Sequence, residues 1–264
     1  MARRMEKRFE LDATHEQVWE AIATGPGISA WFAPHRVEPR EGGKVEQSYG
    51  SGYDTTGRVT AWEPGRRFAY GSFEPGPGAE ESQAGRPDYA YEFLVEGRDG
   101  GGTVLRFVQS GFLDGTDWDG EYNSFDAGWD LFFHNLAQYL AHFTGLPATT
   151  VVTMGYTEGG SAQAWPVMHR ALGLSGHPAV GARVTLAPDG PAPINGVVDV
   201  ASEEFLGVRS THGLHRIGAE GDAGCGVSAY HYFYGVDVDG AALTADWQDW
   251  INRHFPIAAP VGTP

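Results

Sequence analysis

Between residues 125 and 143 the large apolar side chains fall at Phe125, Trp129, Phe132, Leu136, Tyr139 and Phe143, spaced by 4, 3, 4, 3 and 4. On a 3.6-residue period this draws one continuous stripe along a helix of about five turns. Such a stripe needs a broad apolar partner. The upstream candidate is a run of strand signals at 43–49, 54–62, 66–73, 88–96 and 102–111, separated by Gly, Pro and Asp. A curved antiparallel sheet wrapped around one long C-terminal helix is the α+β architecture that this pattern requires. Ahead of it, residues 4–11 alternate as a first strand, and Thr14 with Gln17 gives a capping-box helix start. That helix is expected to stop at Gly25-Pro26-Gly27, and a second short helix, ISAWFA, to end before Pro34. The Gly/Pro/acid-rich segment 74–87 reads as a mobile loop.

The chain also carries a diverged internal repeat. Gly42, Val45, Gly57 and Val59 fall on Gly181, Val184, Gly196 and Val198 at a constant offset of 139. The flanks agree: QVWEAI (17–22) matches QAWPVM (163–168) at an offset of 146, and AHF (141–143) matches RHF (253–255) at 112. Order is kept while loop lengths change, the mark of a duplicated unit. Two tandem domains are expected, 1–146 and 147–258, with a tail over 259–264. In the second, a strand near 150–156, a helix from Ser161, strands at 181–187, 194–200, 204–210 and 226–238, and a helix from Leu243 to Phe255 repeat the plan. The ISAWFA helix has no counterpart there, because GLSGHPAVG occupies its place.

Composition narrows the function classes. Thirty-four acidic against eighteen basic residues give a net charge of −16, which repels nucleic acid and anionic lipid in the absence of a concentrated basic patch. No apolar run approaches a membrane span, and the N-terminus lacks the apolar core of a secretory signal. A single cysteine, Cys225, excludes an internal disulfide. A soluble, cytoplasmic protein with no nucleic-acid or membrane partner is the expectation; oligomeric state is left open.

The segments AWFAPHRVEPREGGKVEQ, TGRVTAWEPGRRFAY, GGTVLRFVQSGF and DAGWDLFFHNLAQYL together resemble the family homologous to the C-terminal domain of the Hsp90 ATPase activator, within the START-like helix-grip superfamily. The resemblance covers residues 1–145 and is weaker over 151–256, where it rests mainly on the repeat. It implies two tandem helix-grip domains, each with a hydrophobic cavity between sheet and long helix. It does not imply one chemistry, since the superfamily includes lipid carriers, hormone receptors, polyketide aromatases and cyclases, and enediyne self-resistance proteins. The tandem, aromatic-rich arrangement is similar to helix-grip proteins encoded with bacterial polyketide or enediyne pathways.

Strand parity nominates the pocket residues. Val45, Gln47 and Tyr49 share one face of their strand, as do Tyr89, Tyr91, Phe93 and Val95; Phe68, Tyr70, Leu105, Phe107 and Gln109 are their companions. The helices add Trp31, Phe32, Trp129, Phe132 and Leu136. Any one of these aromatics is accounted for by an ordinary core. As a set they bring tyrosine hydroxyls and amides inward, which a core must satisfy and a ligand pocket uses for orientation. Tyr49, Tyr89, Tyr91 and Gln109 are the expected polar contacts.

Other chemistries find less support. His35, near the expected cavity mouth, is the better candidate base, and His134 lies around the side of its helix. The cluster over 114–126 lacks the glycine and glutamate spacing of a calcium loop and suits a helix N-terminus instead. His212, His215 and His231 have no cysteine partner at zinc spacing, no phosphate-loop or nucleophile motif occurs, and Cys225 has no identifiable base. No cofactor or metal is expected. Binding of a hydrophobic, polycyclic or polyketide-like small molecule leads, by carriage or sequestration. An aromatase/cyclase or hydrolytic enzyme using the same cavity, and an Hsp90 cofactor, are its rivals.

Overall fold

The computed structural model describes residues 3–50, 54–75, 89–98, 102–112, 119–222 and 224–256. The chain divides into two compact units, Met1–Ala148 and Thr149–Pro264. The first runs β1 (Arg3–Leu11), α1 (His15–Ala23), α2 (Gly25–Ser29), β2 (His35–Val37), β3 (Lys44–Ser48), β4 (Asp54–Glu63), β5 (Arg67–Pro75), β6 (Ala90–Arg98), β7 (Gly102–Phe112) and α3 (Asp119–His142). Its seven strands form one antiparallel sheet in the order β1-β7-β6-β5-β4-β3-β2. Of the segment 74–87 expected to be a loop, Glu74 and Pro75 end β5, and residues 76–87 lie outside the described residues.

The local signals explain the helix boundaries, with one correction. Thr14 Oγ1 accepts from the Gln17 amide at 3.2 Å while Gln17 Oε1 accepts from the Thr14 amide at 2.8 Å, a complete capping box. Gly25-Pro26-Gly27 does end α1, but it also opens α2, so the second helix is Gly25–Ser29 and not ISAWFA. Proline is pre-organised for a first helical turn, and the Thr24 hydroxyl caps it by accepting from Gly27 N at 3.0 Å. Trp31 and Phe32 therefore leave a turn after the helix. Three-residue β2, behind Pro34, was not expected from the sequence.

α3 packs its aromatic side against the sheet. Phe133 stacks on Phe9 of β1 at 4.1 Å between centroids and meets Trp31 at 5.7 Å and Phe107 of β7 at 5.1 Å. Phe133 is 2% exposed, whereas Phe132 is only partly buried. The predicted stripe thus needs a rotation: Trp129, Leu136, Tyr139 and Phe143 are buried, but Leu131, Phe133 and Asn135 are buried with them. Lys7 of β1 fixes the helix electrostatically, its Nζ lying 2.9 Å from Asp126 and also bridging Asp130.

The second unit runs β8 (Ala148–Thr157), α4 (Ser161–Ala171), β9 (Arg183–Leu186), β10 (Ile194–Ala201), β11 (Phe205–Ser210), β12 (Gly213–Glu220), β13 (Cys225–Tyr234) and α5 (Gly240–His254). Its sheet order, β8-β13-β12-β11-β10-β9, is that of the first unit without β2. Strand β12 was missing from the sequence reading, and the strand expected at 226–238 is the shorter β13. The repeat is realised in register: Lys44, Val45 and Glu46 face Arg58, Gly57 and Thr56, just as Arg183, Val184 and Thr185 face Val197, Gly196 and Asn195. Gly42 and Gly181 open the two hairpins with φ of 73° and 88°, values that L side chains rarely adopt. Their amides donate to Val59 O and Val198 O, both at 2.8 Å. Trp165, Met168, Trp247, Trp250 and Ile251 of α4 and α5 cover the inner face of this sheet. No described helix of the chain is long and apolar enough to cross a membrane.

The rotation of α3 has a measurable consequence. Phe133→Ala is expected to destabilise the first unit by about 3–5 kcal/mol, the usual cost of emptying a buried aromatic site, and Phe132→Ala by clearly less. Urea unfolding of the two variants checks this, and equal losses would contradict the assignment.

Candidate functional site

The inner face of the first sheet is a set of cross-strand rows. One row runs Val59, Tyr70, Tyr91, Gln109 and Met5 across β4, β5, β6, β7 and β1; the next runs Phe68, Phe93 and Phe107. Parity nominated all of these except Val59 and Met5, and the α3 seam closes over them. Trp129 meets Phe107 at 4.2 Å and Tyr91 at 5.6 Å; Phe32 meets Trp129 at 4.9 Å, Phe132 at 4.5 Å and Tyr49 at 6.0 Å.

The nominated residues separate into two groups. Trp31, Val45, Phe68, Phe93, Phe107 and Leu136 are fully buried. Trp31 is fixed by its indole donating to Ala21 O at 2.8 Å. These pack the core. Phe32, Gln47, Tyr49, Tyr70, Tyr89, Tyr91, Gln109, Trp129 and Phe132 gather instead around a set of polar atoms. Burial pushes the phenols of Tyr49, Tyr70 and Tyr91 above their ordinary range, with neighbouring phenols adding to the rise at Tyr70 and Tyr91. All three are therefore neutral hydroxyls. Tyr89 sits beside them, its ring 4.9 Å from Phe125 and 5.3 Å from Phe112.

Two amides define the polarity of this group. Gln47 Nε2 donates to His35 Nε2 at 2.8 Å and to the Tyr70 hydroxyl at 3.3 Å, while its Oε1 accepts from Thr55 at 3.2 Å. Gln109 Oε1 accepts from the Trp129 indole at 2.5 Å, and Gln109 Nε2 is buried with no hydrogen-bond partner among the described residues. An unsatisfied buried donor costs about 1–3 kcal/mol.

His35, expected near a cavity mouth as a possible base, is buried at 7% exposure on β2. Its Nδ1 donates to Ala33 O at 2.6 Å, so its Nε2 accepts from Gln47. Burial lowers its pKa to about 4, partly offset by the Ala33 carbonyl. Both ring nitrogens are engaged and the ring is neutral, so it orients Gln47 and has no free lone pair for proton abstraction. The sequence missed this role, although a histidine directly after the Trp-Phe segment marked the place. Phe9 and Phe133 were missed as wall residues; the alternation of β1 would have found Phe9.

In the second unit His215 and His231, facing each other across β12 and β13, approach at 3.1 Å between their Nδ1 atoms, and His215 Nε2 lies 3.0 Å from Ser210 Oγ. Burial lowers both, His215 to about 3, with nearby Arg216 adding to its shift. His212 is exposed, and among the described residues no three potential ligands gather as a metal site. Cys225 is buried at the start of β13, its thiol pushed up to about 11, which makes it inert.

The rows of the sheet, the covering helix and the aromatic wall are those of a helix-grip protein. Residues 12–141, most of the first unit, match the family model described as Activator of Hsp90 ATPase homolog 1-like protein. Among solved structures it is similar to CalU16 from Micromonospora echinospora, with 24% identity over 53% of this chain and 77% of that one and a TM-score of 0.41. MLL2253 from Mesorhizobium loti is 25% identical over 53% of this chain and 97% of its own, with a TM-score of 0.45. DynU16, described as a putative protein in the dynemicin biosynthetic locus, is 18% identical over 95% of each chain, with a TM-score of 0.45. No curated protein matches the chain.

The buried histidines set an acid limit on stability. His35, His215 and His231 titrate lower when folded than the ordinary 6.5. Below pH 6.5 the unfolded chain thus binds protons that the folded chain refuses, and unfolding free energy falls with falling pH. At pH 5 the loss is about 2 kcal/mol per histidine, so the second unit, with two, weakens faster than the first. Urea unfolding between pH 7 and 5 measures this; His35→Gln should flatten the dependence of the first unit, and an unchanged slope would refute it.

Proposed function

We propose that the first unit binds a hydrophobic, polycyclic or polyketide-like small molecule between the inner face of its sheet and α3. The buried, unpartnered amide of Gln109 beside neutral tyrosine hydroxyls carries this reading. A planar ligand with a few oxygens would stack on Phe32 and Trp129, accept from Gln109 Nε2, supplying the missing acceptor, and hydrogen-bond the Tyr91 hydroxyl. The wall rings now touch one another, so admission requires rings at the edge to part. Phe32, in the turn after α2, and partly buried Phe132 are the pair that would move. Ligand binding then selects an opened arrangement of a wall that is otherwise closed on itself. The resemblance drawn from the sequence extends the reading to natural-product biosynthesis or self-resistance by sequestration, with the second unit a diverged copy.

An amide NMR titration with polycyclic aromatic and polyketide-like compounds, with a fatty acid as control, tests the proposal. Saturable shifts centred on Phe32, Tyr91, Gln109 and Trp129 are expected. Tyr91→Phe and Gln109→Leu should each weaken binding roughly tenfold, the worth of one well-placed hydrogen bond. Gln109→Leu also strips the Trp129 indole of its acceptor, so Tyr91→Phe is the cleaner variant. If no polycycle binds while these amides stay unshifted, the aromatic set is core alone. Intact mass after exposure separates carriage from covalent capture of the ligand.

A further inference from the structure

The hairpins of the two units carry the same groove in two chemical states. In the first, a groove of about 360 Å³ is lined by Glu38, Arg40, Lys44, Thr56 and Arg58. Two of its three cations are matched by carboxylates: Lys44 pairs with Glu46, and Arg40 lies 2.7 Å from Glu38, while Arg58 donates to the Gly42 carbonyl at 3.5 Å. In the second, a groove of about 520 Å³ is lined by Arg183, Thr185, Asn195, Val197 and Arg209. At the offset of 139, Lys44 becomes Arg183, Glu46 becomes Thr185 and Thr56 becomes Asn195. The cation is kept, its carboxylate is gone, and Arg209 supplies a second cation from the neighbouring strand.

Register places these groups together. Arg183 faces Val197 and Val197 faces Arg209, so the two arginines start from one face of the sheet, two strands or about 10 Å apart, within reach of a common ion. The face is opposite to the one that carries Val198, Val208 and Leu206 into the core. The neighbouring carboxylate, Asp199, is taken by Arg216, which donates to both of its oxygens at 2.8 Å. Gly207 leaves room for that pair, since a Cβ there would lie 2.7 Å from Arg216 Nη1 and 2.9 Å from Asp199 Oδ1. Arg209 Nε is buried with no hydrogen-bond partner among the described residues. Asn195 Oδ1 accepts from Thr185 Oγ1 at 2.6 Å, which leaves the Asn195 Nδ2 hydrogens as donors. In a chain of net charge −16, two guanidinium groups with no ion pair among the described residues, beside neutral donors, have the chemistry that attracts an anion.

We propose that the groove over β9, β10 and β11 binds a tetrahedral oxyanion, free phosphate or the phosphoryl group of a larger ligand, held by Arg183 and Arg209 with Asn195 as a further donor. The site is independent of the aromatic cluster in the first unit and stands or falls separately from it.

Titration of the full chain with inorganic phosphate, followed by amide NMR against sodium chloride of equal ionic strength, reads the site directly. Saturable shifts at Gly196, Val197 and Arg209 are expected with phosphate only, with no matching response at Gly57 and Arg58 in the first groove. Arg183→Gln and Arg209→Gln should each weaken binding roughly tenfold. Thr185→Glu, which restores the carboxylate of the first copy on a surface position, should abolish it without disturbing the fold. Phenyl phosphate serves as the second arm: tighter binding with added shifts at Val184 assigns the site to a phosphorylated ligand, and equal binding assigns it to the free ion. Shifts that follow ionic strength alike in both salts, or that survive Thr185→Glu, would overturn the proposal.

Discussion

Everything in the first unit depends on how Trp129 and Phe133 seat α3 on the sheet. The helix spans 24 residues and is held at its middle by rings from three strands, Phe9, Tyr91 and Phe107. Ring contacts at 4–6 Å between β-sheet and helix remove more apolar area per residue than aliphatic packing would. They also fix the rotation of the helix, because the indole of Trp129 must find an acceptor once buried. Gln109 is that acceptor, and its other end is left unsatisfied as a result. The packing solution and the candidate site are thus one arrangement: the hydrogen bond that seats the helix also leaves a polar atom in an aromatic enclosure.

The same enclosure decides the protonation states. In low dielectric, phenols stay neutral and histidines lose their protons, unless an opposite charge lies near. No carboxylate approaches the Tyr70, Tyr91 and His35 group in the hydrogen bonds described above, and desolvation leads the shift at each. What results is a collection of neutral donors and acceptors without a general acid or base poised near neutrality. Such groups recognise the shape and oxygen pattern of a ligand; they are poorly matched to proton transfer at pH 7.

Much of this was legible in the sequence because it follows from periodicity. Alternation in β3, β6 and β7 put Gln47, Tyr91, Phe93 and Phe107 on the inner face, and the repeat offset of 139 proved to be a true register. The failures have physical causes. β12 has no readable alternation, since neighbours of both parities, Leu214 and His215 or Arg216 and Ile217, are buried. Pro26 reads as a breaker, yet with Thr24 ahead of it the same residue starts a helix. The stripe on α3 identified the helix but not its facing, because a helix clasped by a curved sheet buries more than one row, and Phe133 lies one position from the row that spacing selects. The polar site could not be read at all beyond its residue types: which end of Gln109 is satisfied depends on Trp129, twenty positions away.

Duplication explains why the two units differ where they do. The hairpin that opens with Gly42 or Gly181 is constrained twice, by a positive φ and by paired backbone bonds to Val59 or Val198, so a change there breaks the register of the sheet. The inner face is constrained by packing volume, and each copy has solved it separately, with rings meeting α3 in the first and with Trp247 and Trp250 of α5 in the second. The outer face of β9 and β10 is under neither constraint. An exposed ion pair such as Lys44 with Glu46 contributes little to stability, so losing its acid half costs the fold almost nothing. What it changes is local potential: an arginine without its carboxylate attracts anions, whereas the paired lysine does not. Of the positions related by the repeat, Thr185 is therefore one where the two copies can differ in surface charge at little cost to the fold.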